Sequence, residues 1–215
     1  MAKEIDLPVP RGHWAIELLR YLVVFPLLTL LGPLRFRGWN RVPRKGGLII
    51  LCNHLADCDP VVLQAACPRG IQFMSKSELW DMKVVGPMMK WWGAFPVKRG
   101  EPDRASLRIA AELAKGGAAV GIFPEGQLSE DGLLQEIKPG AALIIRMAGV
   151  PVICCGLRNT NRILPYGKLV PRPAFAWVSA NWGEVREFSK ESTTEEIVAW
   201  AESEFRRLIP EPKSG

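Results

Sequence analysis

From residue 47 onward, short uninterrupted apolar runs alternate with stretches of helical periodicity, and no other feature constrains the fold as strongly. The runs are "GLIILC" (47–52), "IQFM" (71–74), "AAVGIF" (118–123), "VPVICCGL" (150–157) and "FAWVSA" (175–180). Strands covered on both faces of a sheet show such continuous apolar character, and parallel sheets are covered in this way. Between them, "DRASLRIAAELAKGG" sets Leu107, Ile109, Ala110, Leu113 and Ala114 broadly on one side, with Asp103 as N-cap and Gly116–Gly117 as the stop. "PGAALIIRMAG" is a second helix. "TTEEIVAWAESEFRRLIP" is a third, with Thr193 and Glu196 as a capping box and Arg206–Arg207 in its last turn. The alternation predicts an α/β fold: a single layered domain with a central, mostly parallel sheet flanked by helices.

Residues 14–36, "WAIELLRYLVVFPLLTLLGPLRF", read differently. Unbroken apolar sequence runs only from Tyr21 to Leu28, or to Leu31 if Thr29 is allowed, whereas a span needs roughly 20 apolar residues. Glu17, Arg20, Pro26 and Pro33 interrupt the segment, and no Ala-x-Ala cleavage site follows it. The pattern predicts one or two helices lying in a bilayer interface, with Arg35 and Arg37 towards head groups; a buried core helix and a single tilted span are the alternatives. The expected organisation is a membrane-associating helical segment over 1–36 and a catalytic domain over 37–215, peripheral or monotopic on the cytoplasmic face of the membrane.

A net charge of +6 and eight tryptophans against two tyrosines fit an anionic, partly apolar partner. The basic residues fall singly or in pairs, without the clustered run and interleaved aromatics of a nucleic-acid groove, so nucleic acid is not an expected partner. Five cysteines (52, 58, 67, 154 and 155) form no Cys-x-x-Cys pair and read as reduced thiols. Cys52, His54 and Cys58 match no zinc spacing, and no metal is expected.

His54 is one of two histidines in the chain, and it sits in "CNHLADCDP" at the end of the first apolar run. In a continuous helix His54 and Asp59 would point apart; a turn ending at Asp59-Pro60 folds them together, with aspartate as N-cap and proline in the first helical position. Asp57 competes on spacing alone, and Asp59 as a simple helix cap is the plain alternative. The functional reading is an acid–base dyad, in which the imidazole takes an alcohol proton and a carboxylate fixes its tautomer. No nucleophile elbow is present, which leaves the substrate's own hydroxyl as nucleophile; an acyl-Cys58 intermediate is a lesser alternative.

Two further stretches carry chemistry. "GIFPEGQLSEDG" places Glu125 and Gly126 at a strand end, where α/β sheets bind ligands; Gly126 allows a positive φ, and Glu125 is either a ligand for a polyol hydroxyl or a turn residue. "WGAFPVKRG" carries Lys98 and Arg99; Arg99 suits bidentate phosphate binding, and a solvated pair beside a turn is the plainer reading of the residues alone.

Taken together and in order, "NHLADCD", "GAFPVKR", "FPEG" and "GVPVICCGL" resemble the four blocks of the phospholipid/glycerol acyltransferase family, over roughly residues 35–185. The resemblance implies His54 as general base and Asp59 as its partner, with Asn53 in the same signature. It also implies Lys98, Arg99, Glu125 and Gly126 on the glycerol-phosphate side of the acceptor. The donor would be acyl-CoA or acyl-carrier protein, the acceptor a lysophospholipid, and no cofactor would be required. "LWDMKVVGPMMKWW" would line an acyl-chain tunnel, with ordinary core or membrane contact as the alternative for its Met and Trp residues.

One departure stands out. Where many phosphatidate-forming members continue Thr-Arg-Ser, this chain has Gln127-Leu128-Ser129. Losing a charge-assisted hydrogen bond to phosphate costs about 1.5–3 kcal/mol unless Lys98 or Lys138 replaces it. The expected acceptor is 1-acyl-sn-glycerol 3-phosphate, giving phosphatidate. Lysophosphatidylethanolamine or lyso-ornithine lipid are alternative acceptors, and a thioester hydrolase or a silent lipid-binding protein are alternative functions.

Overall fold

The computed structural model describes residues 20–76, 80–83, 86–87, 94–97, 104–168 and 170–209. Among them, seven strands form one sheet: β1 (Leu34–Arg37), β2 (Leu48–Cys52), β3 (Ile71–Lys76), β4 (Phe95–Val97), β5 (Ala119–Ile122), β6 (Val152–Arg158) and β7 (Val178–Trp182). The order across the sheet is β1-β7-β6-β2-β5-β3-β4. All neighbouring pairs are parallel except β6 with β7. The helices are α1 (Phe25–Leu31), which continues a π-helical turn at Arg20–Val24, α2 (Asp59–Ala66), α3 (Arg104–Lys115), α4 (Pro139–Ala148), α5 (Thr160–Ile163) and α6 (Thr194–Leu208).

The central strands are buried along their whole length, as their unbroken apolar sequence requires. Alternate side chains serve opposite layers. Leu48, Ile50 and Cys52 of β2 pack with Val62, Leu63 and Ala66 of α2 and with Leu28 of α1. Ile49 and Leu51 pack with α3, α4 and α6 through residues such as Ala110, Ile144 and Phe205. The chain leaving β2 therefore turns onto one face, while the chain leaving the adjacent β5 crosses the other on its way to β6. That divergence is a topological switch point, the place where open α/β sheets form a crevice at the carboxyl ends of their strands.

Several expectations are refined. The helical reading of 14–36 stops at Leu31: Pro33 has no N–H to continue the ladder, and Leu34–Arg37 joins the sheet as an edge strand beside β7. The sequence boundary after residue 36 thus falls inside β1. Among the described residues no helix is long and apolar enough to cross a membrane. The strand expected at 175–180 begins only at Val178, because Phe175 has φ 49°, outside the range of a strand. Strand β4 needed its partner β3 to be recognised. Thr193 caps α6 by accepting from the Glu196 N–H, but the carboxylate of Glu196 pairs with Arg186 rather than closing the capping box. The Asp103 cap lies outside the described residues.

Candidate active site

The turn after β2 carries His54, and the turn after β5 carries Glu125, so the switch point brings the two motifs together. His54 donates its main-chain N–H to Glu125 Oε2 at 2.9 Å, and its carbonyl accepts from the Ser129 N–H at 2.9 Å. The other oxygen, Oε1, accepts the Gln135 N–H. Glu125 is buried, and burial pushes its carboxyl up to about 7 against the opposing pull of those two N–H donors. Its carboxylate is thus a tie between the two loops. Gly126 has φ 71°, the left-handed conformation that a glycine adopts without strain, and the stem of Lys138 passes beside it.

The His54 side chain is fixed on two sides. Its ring stacks on Phe123 with centroids 4.1 Å apart, and Phe123 in turn stacks on Phe73. Its Nδ1 lies 2.9 Å from Asp59 Oδ2. The N–H groups of Leu55 and Ala56 donate to the same oxygen. Three donors converge on one carboxylate oxygen, and the other, Oδ1, has no hydrogen-bond partner among the described residues.

This arrangement corrects one expectation. Asp59 is not the N-cap of α2: Cys58 occupies that position with helical backbone angles and makes no side-chain cap bond. The Asp59 carboxylate reaches backwards to the 54–56 turn, because being the first residue of α2 aims it at the amides that the turn leaves free. Pro60 is the second residue of α2, one place beyond the first helical position expected of it. Asp57, the competitor on spacing, is exposed.

Asn53 is fully buried and clamps β6. Its Nδ2 donates to the Leu157 carbonyl at 3.1 Å and its Oδ1 accepts the Leu157 N–H at 2.7 Å. Burial and the nearby Asp59 charge push the Cys58 thiol up to about 12, which leaves it a weak nucleophile at neutral pH. Lys98, Arg99 and much of the expected acyl-tunnel stretch lie outside the described residues. Phe123 and Leu157 were not singled out in the sequence. The position of Phe123 two residues before Glu125 was its only local signal. Among the described residues one cleft of about 880 Å³ lies at the opposite end of the sheet by Arg69 and Gly117, and another of about 860 Å³ lies beside the site, lined by Asn53, Leu55, Gln135 and Arg206.

The comparisons with known proteins fit this geometry. A family model described as Acyltransferase matches residues 33–158, more than half of the chain. The chain belongs to the acyltransferase family. Within that family it is 34% identical over 129 residues to the 1-acyl-sn-glycerol-3-phosphate acyltransferase of Bacillus subtilis, covering 59% of this chain and 63% of that protein. It is 33% identical over 158 residues to the chloroplastic enzyme LPAT1 of Arabidopsis thaliana, covering 72% of this chain and 43% of the other. The chain thus spans less than two thirds of these relatives, 63% and 43% of their lengths. Its fold matches the crystal structure of the 1-acyl-sn-glycerophosphate acyltransferase PlsC from Thermotoga maritima with a TM-score of 0.78 at 22% identity, over 93% of this chain and 81% of that one. The α/β fold with its mostly parallel sheet is shared with that acyltransferase.

Proposed function

We propose that this chain transfers a fatty acyl group from the thioester of coenzyme A or acyl-carrier protein to the sn-2 hydroxyl of 1-acyl-sn-glycerol 3-phosphate, giving phosphatidate. The observation that carries the reading is the His54–Asp59 pair at the switch point. With Nδ1 held by a buried carboxylate, the imidazole keeps Nε2 for the acceptor hydroxyl.

The hydroxyl oxygen attacks the thioester carbonyl as Nε2 takes its proton. The new C–O bond forms, the C–S bond breaks, and the proton passes from His54 to the departing thiolate. Asp59 stabilises the transient imidazolium. The high position of the Cys58 thiol favours this direct transfer over an acyl-cysteine intermediate.

Lys98 and Arg99 are the proposed phosphate ligands, and Lys138, whose stem runs beside Gly126 and whose ammonium pairs with Glu136, is the proposed source of the charge that Leu128 does not supply. The segment 1–36 is the proposed membrane-associating element on the cytoplasmic face. Leu22, Leu27 and Leu30 are exposed along the described part of it, while Leu28 is buried against the domain.

The acceptor is tested by supplying one acyl-CoA with lysophosphatidate, lysophosphatidylethanolamine or lyso-ornithine lipid in vesicles and identifying products by mass. Phosphatidate as the main product supports the reading. Product only from another acceptor keeps the chemistry and changes the substrate.

A further inference from the structure

The loop between α5 and β7 ends in "VPRPAFAW", residues 170–177, and exposes more apolar surface than its surroundings explain. Phe175 is 91% exposed and Val170 77%. Trp177 is also exposed, with the Arg35 guanidinium 4.6 Å over its ring. Phe175 has φ 49° without being glycine, so the backbone is strained to hold a large apolar side chain in water, where it gains no burial.

Topology sets this loop beside α1. The Ala174 N–H donates to the Leu31 carbonyl at 2.7 Å, and the Val178 N–H to the Pro33 carbonyl at 2.9 Å. The loop therefore extends the apolar strip of α1, whose last turn presents Leu30 at 80% exposure. Because β7 runs against β6, the loop also stands at the edge of the sheet where β2 and β5 end and where His54 sits.

The charge beside the strip is mostly basic. Arg35 lies against Trp177, and residues 159–183 carry Arg162, Lys168 and Arg172 and no acid. Glu130, which accepts from the Tyr166 hydroxyl, is an acid at the rim. Apolar side chains flanked by arginine and lysine are complementary to a bilayer with anionic head groups.

We infer that the 170–177 loop is a second membrane contact, inserting Phe175 and Val170 into an anionic phospholipid surface and turning the His54 edge of the sheet towards the lipid. The inference rests on the membrane association proposed above for 1–36. It adds that α1 alone does not set the orientation.

The test is flotation of the full chain with vesicles of phosphatidylcholine mixed with phosphatidylglycerol, and of phosphatidylcholine alone. Val170→Ser combined with Phe175→Asn removes the insertion, and asparagine accepts the left-handed backbone, so the unfolding temperature should hold or rise. Leu30→Ser tests α1 separately. The wild type is expected to bind mixed vesicles more tightly than neutral ones, and the double variant to lose at least about tenfold in partitioning, the equivalent of one exposed aromatic side chain. A double variant that partitions like the wild type overturns the inference while leaving the α1 reading to the Leu30→Ser result. A wild type that does not bind at all overturns both. A wild type that is dimeric in solution beside a monomeric double variant assigns the patch to a second copy, and overturns the inference too.

Discussion

Asp59 Oδ2 holds His54 Nδ1 at 2.9 Å and takes the N–H groups of Leu55 and Ala56 on the same atom. One carboxylate thus shapes the turn and orients the base, and the two roles separate by substitution. Asp59→Asn keeps an oxygen for the amides but removes the negative charge facing the imidazolium. We expect kcat to fall on the order of 10²–10⁴-fold, with KM and the unfolding temperature little changed. Asp59→Ala strands two buried donors and should destabilise the fold by about 2–4 kcal/mol as well. Steady-state kinetics beside thermal melts check both, and full activity in Asp59→Asn would reduce the residue to a turn former.

Asn53 is predicted to matter for the fold before it matters for substrate. Both halves of its amide sit on the Leu157 main chain. Asn53→Ala leaves a buried N–H and a buried carbonyl without partners and should cost about 2–4 kcal/mol in urea unfolding. A raised KM at unchanged stability would place it on the acceptor instead.

Glu125 makes stability depend on pH in a defined direction. Its carboxyl is raised from 4.5 to about 7 in the fold, so the folded chain keeps a proton that the unfolded chain has released. The associated stability is fully present below the unfolded pKa of 4.5 and is lost as pH rises towards about 7. The change amounts to at most about 3 kcal/mol. Glu125→Gln should flatten that slope in urea titrations across the same window. It should also lower stability by about 1–3 kcal/mol, because its –NH2 faces an N–H that the carboxylate accepted.

Gly121 is predicted to act on His54 through two rings. A Cβ there would lie 2.6 Å from Phe73 Cε1, and Phe73 stacks on Phe123, which stacks on His54. Gly121→Ala should therefore cost about 1–3 kcal/mol in overpacking and lower kcat through a displaced imidazole. Phe73→Leu in the same chain should relieve the clash and restore part of both. Failure to restore either would break the chain of contacts.

Much of this architecture was legible locally. Strands β2, β5 and β6 announce themselves because burial on both faces leaves no polar position, and α3, α4 and α6 because their apolar spacing is helical. Strands β1 and β4 were not legible: three or four residues carry too little periodicity, and only the neighbours β7 and β3 make them strands. At the site, His54 and Asp59 were readable as candidates from the Asp-Pro helix start. The choice of Asp59 over Asp57, and its use by the turn rather than by the helix, depended on how residues 54–58 fold back. The clamp of Asn53 on Leu157 joins residues 104 apart in sequence, which no local pattern reports.

The most direct measurement follows acyl-CoA consumption and phosphatidate formation together, for the wild type and for His54→Ala, in vesicles with and without lysophosphatidate. The wild type should release thiol only when the acceptor is present, one phosphatidate per thiol. His54→Ala should remain folded and lose on the order of 10²–10⁴-fold in kcat. A His54→Ala rate equal to that of the wild type, or thiol release that ignores the acceptor, would contradict His54 as the base of an acyl transfer.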